Sequence, residues 1–176
     1  MSDILIEDGS LRLRRAELND LNYILKLQTD PENSSFIISF DRDFHRAVLD
    51  GTEPLKMSVV IESAGEHCGY FLLDKSDPIS LGIWHMIIEH GFKGQGLGRR
   101  ALRLLKRWAF DAAKWHRLWV DCKDFNHRAI HLYTTEGFRQ EALFREMLLV
   151  DGEYQNLIVF AMLDWEFYAR KEEQSC

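Results

Sequence analysis

The sequence contains few cysteines and no long hydrophobic run. Its three cysteines, Cys68, Cys122 and Cys176, are odd in number, far apart and without a C-x-x-C pair. This pattern excludes a disulfide scaffold and fits a reduced intracellular protein, so we expect a cytoplasmic location. The first ten residues, MSDILIEDGS, carry acidic side chains where a signal peptide carries basic ones. The sequence therefore predicts neither a secretory leader nor a membrane span.

Positive charge is also scarce. Lys and Arg number 22 against 28 Asp and Glu, and the resulting formal net charge of −6 argues against a general nucleic-acid binder. The basic run after Gly98 is thus a local feature, and its expected partner is small and anionic. With 176 residues, 46% of them hydrophobic, the chain has the size of one domain. We expect this domain to span residues 1–165, followed by a charged and frayed tail over 166–176.

The chain does contain a regular succession of strand and helix patterns. A short strand with Leu11 and Leu13 facing inward precedes a helix that ends before Pro31, and another helix is predicted from Asp41 to Leu49. The segments MSVVIE, HCGYFLLDK and ISLGIWHMII then predict three strands in an antiparallel meander.

The second half of the chain alternates between the two kinds of element. Apolar residues share one stripe of a helix predicted over 96–114, and the segment RLWVDC predicts a buried strand. A helix from about Asn126 to Glu136 ends at a glycine cap, and two last strands flank the turn at Asp151 and Gly152. The pattern as a whole predicts a mixed α/β fold of the α+β kind.

The stretch KGQGLG, residues 93–98, places three glycines at alternating positions directly before the predicted helix. Glycines at this point leave the first backbone N–H groups of a helix unshielded, and the helix dipole makes them an anion site. A P-loop is excluded, because Leu97 stands where that motif needs lysine. A dinucleotide-binding site remains an alternative, since residues 96–101 fit G-x-G-x-x-A and Asp121 follows at a suitable distance. Five residues, Glu89 to Lys93, separate the preceding strand from the first glycine of the motif, and this distance argues against a dinucleotide-binding site.

Two segments resemble the signatures of the GCN5-related N-acetyltransferases, the GNAT superfamily. KGQGLG resembles the pyrophosphate-binding loop of that family, and NHRAIHLYTTEGF, residues 126–138, resembles its second signature. The last hairpin resembles the branch that includes ribosomal-protein and spermidine acetyltransferases. The resemblance implies a central mixed, mostly antiparallel sheet of about seven strands flanked by about four helices. Lys93 departs from the usual Arg or Gln of the loop, and His90 stands in place of a common proline.

The resemblance implies acetyl-CoA as the cosubstrate and assigns roles to particular residues. The pyrophosphate is expected on the loop, and the ribose phosphate near Arg99 and Arg103, with Lys106 as a further candidate on the same helical face. The fourth strand of the family fold separates from the fifth, which frees backbone groups for the pantetheine arm. The expected cofactor-binding residues are Met86, Ile87, Ile88, Lys93, Gly94, Gln95, Gly96, Leu97, Gly98, Arg99, Arg103, Asn126 and Ala129.

Tyr133 is the expected catalytic residue, because the resemblance assigns to it the protonation of the departing sulfur. Asn126, seven residues earlier, projects from the same helical face and suits an N-cap as well as a ligand contact. The base that deprotonates the amine is not identified by the sequence. The aligned positions of the fourth strand, Ser80, Gly82 and Trp84, carry no titratable group.

Three sources of the base therefore stay open, which are His85, Glu89 and a water chain. His85 has the wrong strand parity unless a bulge intervenes. His127 and His131 have metal-ligand spacing but lack the glutamate of H-E-x-x-H, so we expect no metal.

The resemblance implies an acetyltransferase that moves the acetyl group of acetyl-CoA directly to a primary amine. The acceptor is a polyamine, an amino acid, another small-molecule amine or a protein N-terminus. The expected partners are this amine and, because dimers are common in the family, a second copy of the chain as a possible homodimer; neither nucleic acid nor membrane is expected. The non-enzymatic alternative is an acyl-CoA-binding sensor.

Overall fold

The computed structural model describes residues 3–173 and confirms a mixed α/β fold around one sheet. Its eight strands are β1 Ile4–Asp8, β2 Leu11–Arg15, β3 Lys56–Ser63, β4 Glu66–Asp74, β5 Ser80–Ile88, β6 Arg117–Lys123, β7 Arg139–Val150 and β8 Glu153–Leu163. The helices of this part of the chain are α1 Leu21–Thr29, α2 Pro31–Ser34, α3 Arg42–Asp50, α4 Leu97–Arg107, α5 His127–Thr135 and α6 Asp164–Glu173. Short 3-10 turns cover Leu18–Asp20 and His90–Phe92, and a π-helical turn, Trp108–Ala112, continues α4.

The sheet has the strand order β1-β2-β3-β4-β5-β6-β8-β7. Every neighbouring pair is antiparallel except β5 and β6, which run parallel and are joined by the crossover through α4. This topology differs from the doubly wound parallel sheet that a dinucleotide-binding domain requires, so the alternative built on residues 96–101 is wrong.

The sheet is covered on both faces, and each face has its own apolar cluster. One cluster packs α4, α5 and α6 against the sheet and includes Ala101, Leu105 and Phe110. The other packs α1 and α3 against the opposite face and includes Ile24, Leu27 and Val48. Along the central strands β3 and β4, successive side chains alternate between these two clusters, as the pleat requires.

The C-terminal segment differs from its predicted form. The sequence predicts a frayed tail over residues 166–176, but α6 is a packed helix from Asp164 to Glu173, and positions 174–176 lie outside the described residues. Phe167 contacts the core cluster, and the Tyr168 hydroxyl donates a hydrogen bond of 3.0 Å to the Phe110 carbonyl. The local composition is charged here, but one apolar contact and one hydrogen bond to residues distant in sequence hold the helix in place. None of the helices within 3–173 is long and apolar enough to cross a bilayer.

Candidate active site

The site is a gap between β5 and β6. The pairing of these two strands ends at Ile83 and Val120, and beyond this point β5 pairs with β4 alone while β6 pairs with β8 alone. The main chain of β5 from Trp84 to Ile88 therefore has no strand partner on its β6 side. A cavity of about 580 Å³ fills the gap, and its lining includes Met86, Ile87 and Ile88. The resemblance implies that the fourth strand of the family fold, here β5, separates from the fifth, here β6, and the structure confirms this separation.

The glycine loop adjoins this gap at the N-terminus of α4. Gly94 and Gly96 have φ values of +80° and +74°, a left-handed conformation that favours glycine. A Cβ atom at either position would meet no other atom within 4 Å, so the space before the loop is open. Gly96 is the N-cap of α4 without a side-chain cap, which leaves the first N–H groups of the helix free to bind an anion.

The other loop residues contribute in different ways. Leu97 is buried in the core, so only its backbone faces the loop. Gln95 donates a hydrogen bond of 3.1 Å to the Gly91 carbonyl and closes the turn. The Lys93 ammonium is held by Glu32 at 3.0 Å and by the Asn33 side chain at 3.1 Å. Lys93 thus ties the loop to α2 and lines the cavity mouth.

The basic face of α4 has an acidic partner that the sequence analysis missed. Arg99, Arg103 and Lys106 all contact the Glu136 carboxylate, at 2.7, 2.9 and 3.1 Å. Burial alone would raise the pKa of Glu136, but the hydrogen bond from Arg103 and the charge of Lys106 lower it to about 2. Three cations on one carboxylate leave an excess of positive charge, so the cluster can still attract an anion.

Residues of α5 line the other side of the gap. The side-chain oxygen Oδ1 of Asn126 accepts a hydrogen bond of 3.1 Å from the Ala129 N–H, which makes Asn126 the N-cap of α5. Asn126, Ala129 and Tyr133 all line the cavity, and the seven-residue spacing of Asn126 and Tyr133 predicts that these two share one groove. Tyr133 is 5% exposed and packs against Phe138 and Phe160.

The Tyr133 hydroxyl has no hydrogen-bond partner among residues 3–173. Burial raises the pKa of Tyr133, so the hydroxyl keeps its proton at neutral pH. A buried phenol that faces a cavity with an unused proton can donate that proton to a bound molecule.

The two side chains proposed from sequence as bases are both engaged elsewhere. A β-bulge at Trp84 changes the parity of β5, because Leu72 pairs with His85 and Leu73 pairs with Ile83. His85 contacts the Tyr70 hydroxyl at 2.6 Å and the Ile38 carbonyl at 2.7 Å through its two ring nitrogens. Burial lowers the pKa of His85 to about 4, so its ring is neutral at physiological pH.

Glu89 lies outside the cavity. Its carboxylate accepts hydrogen bonds from the Tyr23 hydroxyl at 3.1 Å and from the Lys26 ammonium at 2.6 Å. His127 and His131 are exposed on α5. Within residues 3–173 no group of three or more His, Cys, Asp or Glu side chains is placed to hold a metal ion.

Asp121 is an ionisable cavity residue that the sequence analysis considered only for the alternative dinucleotide site. It lies on β6 and lines the cavity, and burial raises its pKa to about 6. Strand alternation in the sequence could have indicated where the Asp121 side chain points. Along β6, Leu118, Val120 and Cys122 share one face, so Trp119, Asp121 and Lys123 must share the other.

Known proteins resemble this chain along most of its length. Residues 21–138 match the sequence profile of the Acetyltransferase (GNAT) family. The spermidine N(1)-acetyltransferase of Escherichia coli strain K12 is 24% identical over 169 residues, which are 91% of this chain and 89% of the relative. The structure of a Vibrio cholerae spermidine N-acetyltransferase in complex with CoA and spermine superposes with a TM-score of 0.80 at 21% identity, over 92% of this chain and 99% of that one. A dodecameric structure of the V. cholerae enzyme gives 0.79 at 22% identity, over 93% and 99%.

Proposed function

Because the chain belongs to the GNAT family of acetyltransferases, we propose that it moves the acetyl group of acetyl-CoA directly to a primary amine. The observation that carries the proposal is the gap between β5 and β6, which opens beside the glycine loop and ends near Tyr133. A thioester donor held in this gap would be accessible from both faces of the sheet. An anion site, a free strand edge and a phenol then meet in one cavity.

Acetyl-CoA fits the residues that surround the gap. We propose that the amides of Gly94–Gly98 hold the pyrophosphate, because the space before them is open and their donors are unused. The free main-chain groups of Met86–Ile88 would bind the amides of the pantetheine arm. Arg99 and Arg103 would share their positive charge between Glu136 and the ribose phosphate. When bound, the thioester supplies an acetyl group that is already activated for transfer.

Tyr133 is proposed as the general acid. The sulfur that leaves the acetyl group must gain a proton or depart as a thiolate, and the Tyr133 hydroxyl is a protonated donor without another partner in the described chain. The non-enzymatic alternative, an acyl-CoA sensor, would bind acetyl-CoA without needing this donor.

The acceptor is proposed from both the relatives and the cavity. Spermidine is the first candidate, since the similar enzymes are named for it. Apolar side chains from the segment after α2 form part of the cavity rim, with Phe36 39% and Ile38 52% exposed, and Trp84 lines the same cavity. This surface also favours a primary amine on an apolar body, such as the N-terminus of a peptide.

Thiol release from acetyl-CoA tests the proposal. The purified chain is incubated with acetyl-CoA and, separately, with spermidine, tyramine and a short peptide that has a free N-terminal alanine. Release of CoA that depends on one of these amines, with the acetylated product found by mass spectrometry, is the expected result. Saturable acetyl-CoA binding without any amine-dependent release would support the sensor instead.

We also propose that the chain associates with itself. The β7–β8 hairpin is at the edge of the sheet and exposes Leu143, Phe144, Met147, Leu149 and Tyr154 by 48–67%. Exposed apolar side chains on an edge hairpin suit an association surface, and a homodimer is the simplest assembly that covers them. Sedimentation of the wild type and of Leu149→Glu checks this, because the substitution should shift the assembly to monomer.

A cytoplasmic location is proposed with this activity, since Cys68 and Cys122 are free thiols.

A further inference from the structure

The cavity reaches both faces of the sheet, and Asp121 and Tyr133 approach it from opposite faces. Tyr133 belongs to the apolar cluster on the α4–α5 face. On β6, Val120 and Cys122 belong to that same cluster, so the pleat turns the intervening Asp121 toward the opposite face. Asp121 and Tyr133 nevertheless line one cavity, because the sheet is open between them.

Asp121 stands where the two strands separate. Val120 is the last residue of β6 that pairs with β5, and Asp121 is the next residue along the strand. Its side chain therefore lies at the apex of the gap, on the face where Phe36, Ile38 and Trp84 form the apolar rim. An amine that enters from this rim would meet Asp121 before it reached the centre of the sheet.

Other groups near the gap are already committed. Both ring nitrogens of His85 have partners, and Glu32 is bound by His90 at 2.8 Å and by Lys93 at 3.0 Å. Gly82 has no room for an acidic side chain, since a Cβ atom there would lie 2.8 Å from the Trp119 ring. The Asp121 carboxylate, in contrast, has no hydrogen bond or ion pair within residues 3–173.

We propose that Asp121 is the general base that takes a proton from the acceptor ammonium in the acetyl transfer. The inference rests on the proposed function. The ammonium gives one proton to Asp121, and the neutral nitrogen attacks the thioester carbonyl carbon. A C–N bond forms, the C–S bond breaks, and the sulfur takes the Tyr133 proton. The nitrogen then loses a second proton, which restores Tyr133 through solvent, while Asp121 releases its proton to water. The net products are the amide, the free thiol and one proton.

The surroundings of Asp121 suit this role. Burial raises its pKa to about 6, so the carboxylate is ionised at pH 7 yet basic enough to hold a proton during the reaction. A residue with an ordinary carboxyl pKa would be a weaker base. The other ionisable groups that line the cavity are Glu32, His85, Lys93, Lys123, Arg128, Tyr133 and Cys122.

The test is the pH dependence of turnover in Asp121→Asn, which keeps the side-chain shape. It uses acetyl-CoA and whichever of spermidine, tyramine or the alanine peptide gives the highest wild-type rate. We expect kcat/KM at pH 7 to fall by about 10²-fold or more. The wild-type rate should decline below pH ~6, whereas the rate of the variant should keep rising with pH, because only amine that is already neutral reacts.

Two controls separate catalysis from structure. Asp124→Asn removes the same charge three residues away, outside the cavity, and keeps an oxygen for its contact with Asn156, so it should retain the wild-type profile. The acetyl-CoA dissociation constant and melting temperature of Asp121→Asn should match the wild type.

Three results would overturn the inference. An unchanged rate and pH profile in Asp121→Asn would refute the role of Asp121 as the base and leave the proposed function standing. A rise in KM with unchanged kcat would make Asp121 an ammonium-binding residue instead. Absence of wild-type turnover with every amine would refute the proposed function, and the inference with it.

Discussion

Replacing Glu136, the residue that follows α5, with glutamine should destabilise the free protein. The carboxylate is 4% exposed and is held by Arg99, Arg103 and Lys106. Lowering its pKa from 4.5 to about 2 corresponds to about 3 kcal/mol of stabilisation at neutral pH, at about 1.4 kcal/mol per pH unit. For a chain of this length, such a loss lowers the melting temperature by roughly 6–12 °C.

The effect has a defined pH window. The folded state binds the Glu136 proton more weakly than the unfolded state does, so the contribution to the free energy of unfolding is fully present above pH ~4.5. It is lost as the pH falls from there through the folded-state pKa of about 2. The difference between wild type and Glu136→Gln should therefore be largest at pH 7 and shrink steadily in acid.

Urea denaturation at several pH values measures this difference. Glu141→Gln is the matched control, because Glu141 pairs with Arg117 at a side-chain exposure of 40%. An exposed pair contributes about 0–1 kcal/mol, so this control should unfold nearly as the wild type does. A loss below about 1 kcal/mol in Glu136→Gln, or a loss that is the same at pH 3 and pH 7, would refute the reasoning.

The same variant addresses the cofactor. With Glu136 neutral, Arg99 and Arg103 lose their partner but keep their charge, so coenzyme A should bind at least as tightly as to the wild type. Arg99→Ala and Arg103→Ala should instead weaken coenzyme A more than dephospho-coenzyme A, as calorimetric titration of both ligands would show. An equal loss of affinity for the two ligands would show that Arg99 and Arg103 have only a structural role.

Three further substitutions test the site and the sheet. Gly96→Asp should abolish coenzyme A binding in calorimetry, because it places a negative charge before the open amides. The left-handed φ of this position adds about 1–2 kcal/mol of strain to the variant. Unchanged affinity would show that Gly96 serves only the turn. Tyr133→Phe should lower turnover at least about tenfold, with the acetyl-CoA dissociation constant unchanged, and full turnover would make Tyr133 a packing residue. Gly69→Ala should lower the melting temperature, since its Cβ would collide with the Ile87 carbonyl oxygen, and a stable variant would show that β5 can shift.

Local signals in the sequence predicted much of the fold. The hairpin turn at Asp151 and Gly152 has φ values of +51° and +82°, as its residue types indicate. Helix α5 begins after the Asn126 cap and is followed by Gly137 at a φ of +93°. Each of these features depends on residues within one turn of each other.

The features that the sequence analysis missed depend on contacts between distant segments. The parity of His85 follows from its register against β4, and the ion pairs of Glu136 connect α5 with α4, 30 or more residues earlier. Asp121 lies at the site because the pairing of β6 with β5 ends one residue earlier, at Val120. Periodicity within one strand or helix contains no information about such partners.

The gap in the sheet also divides the protein mechanically. The two halves, β1–β5 and β6–β8, are joined in the sheet by four residue pairs, from Ser80 with Arg117 to Ile83 with Val120. The β3–β5 meander and the β7–β8 hairpin contain contacts close in sequence and should form early in folding, whereas the parallel ladder must wait for the crossover through α4. We expect amide hydrogen exchange to resolve two units of unequal stability. A molecule bound across the gap would connect them, so acetyl-CoA should slow exchange in both halves at once.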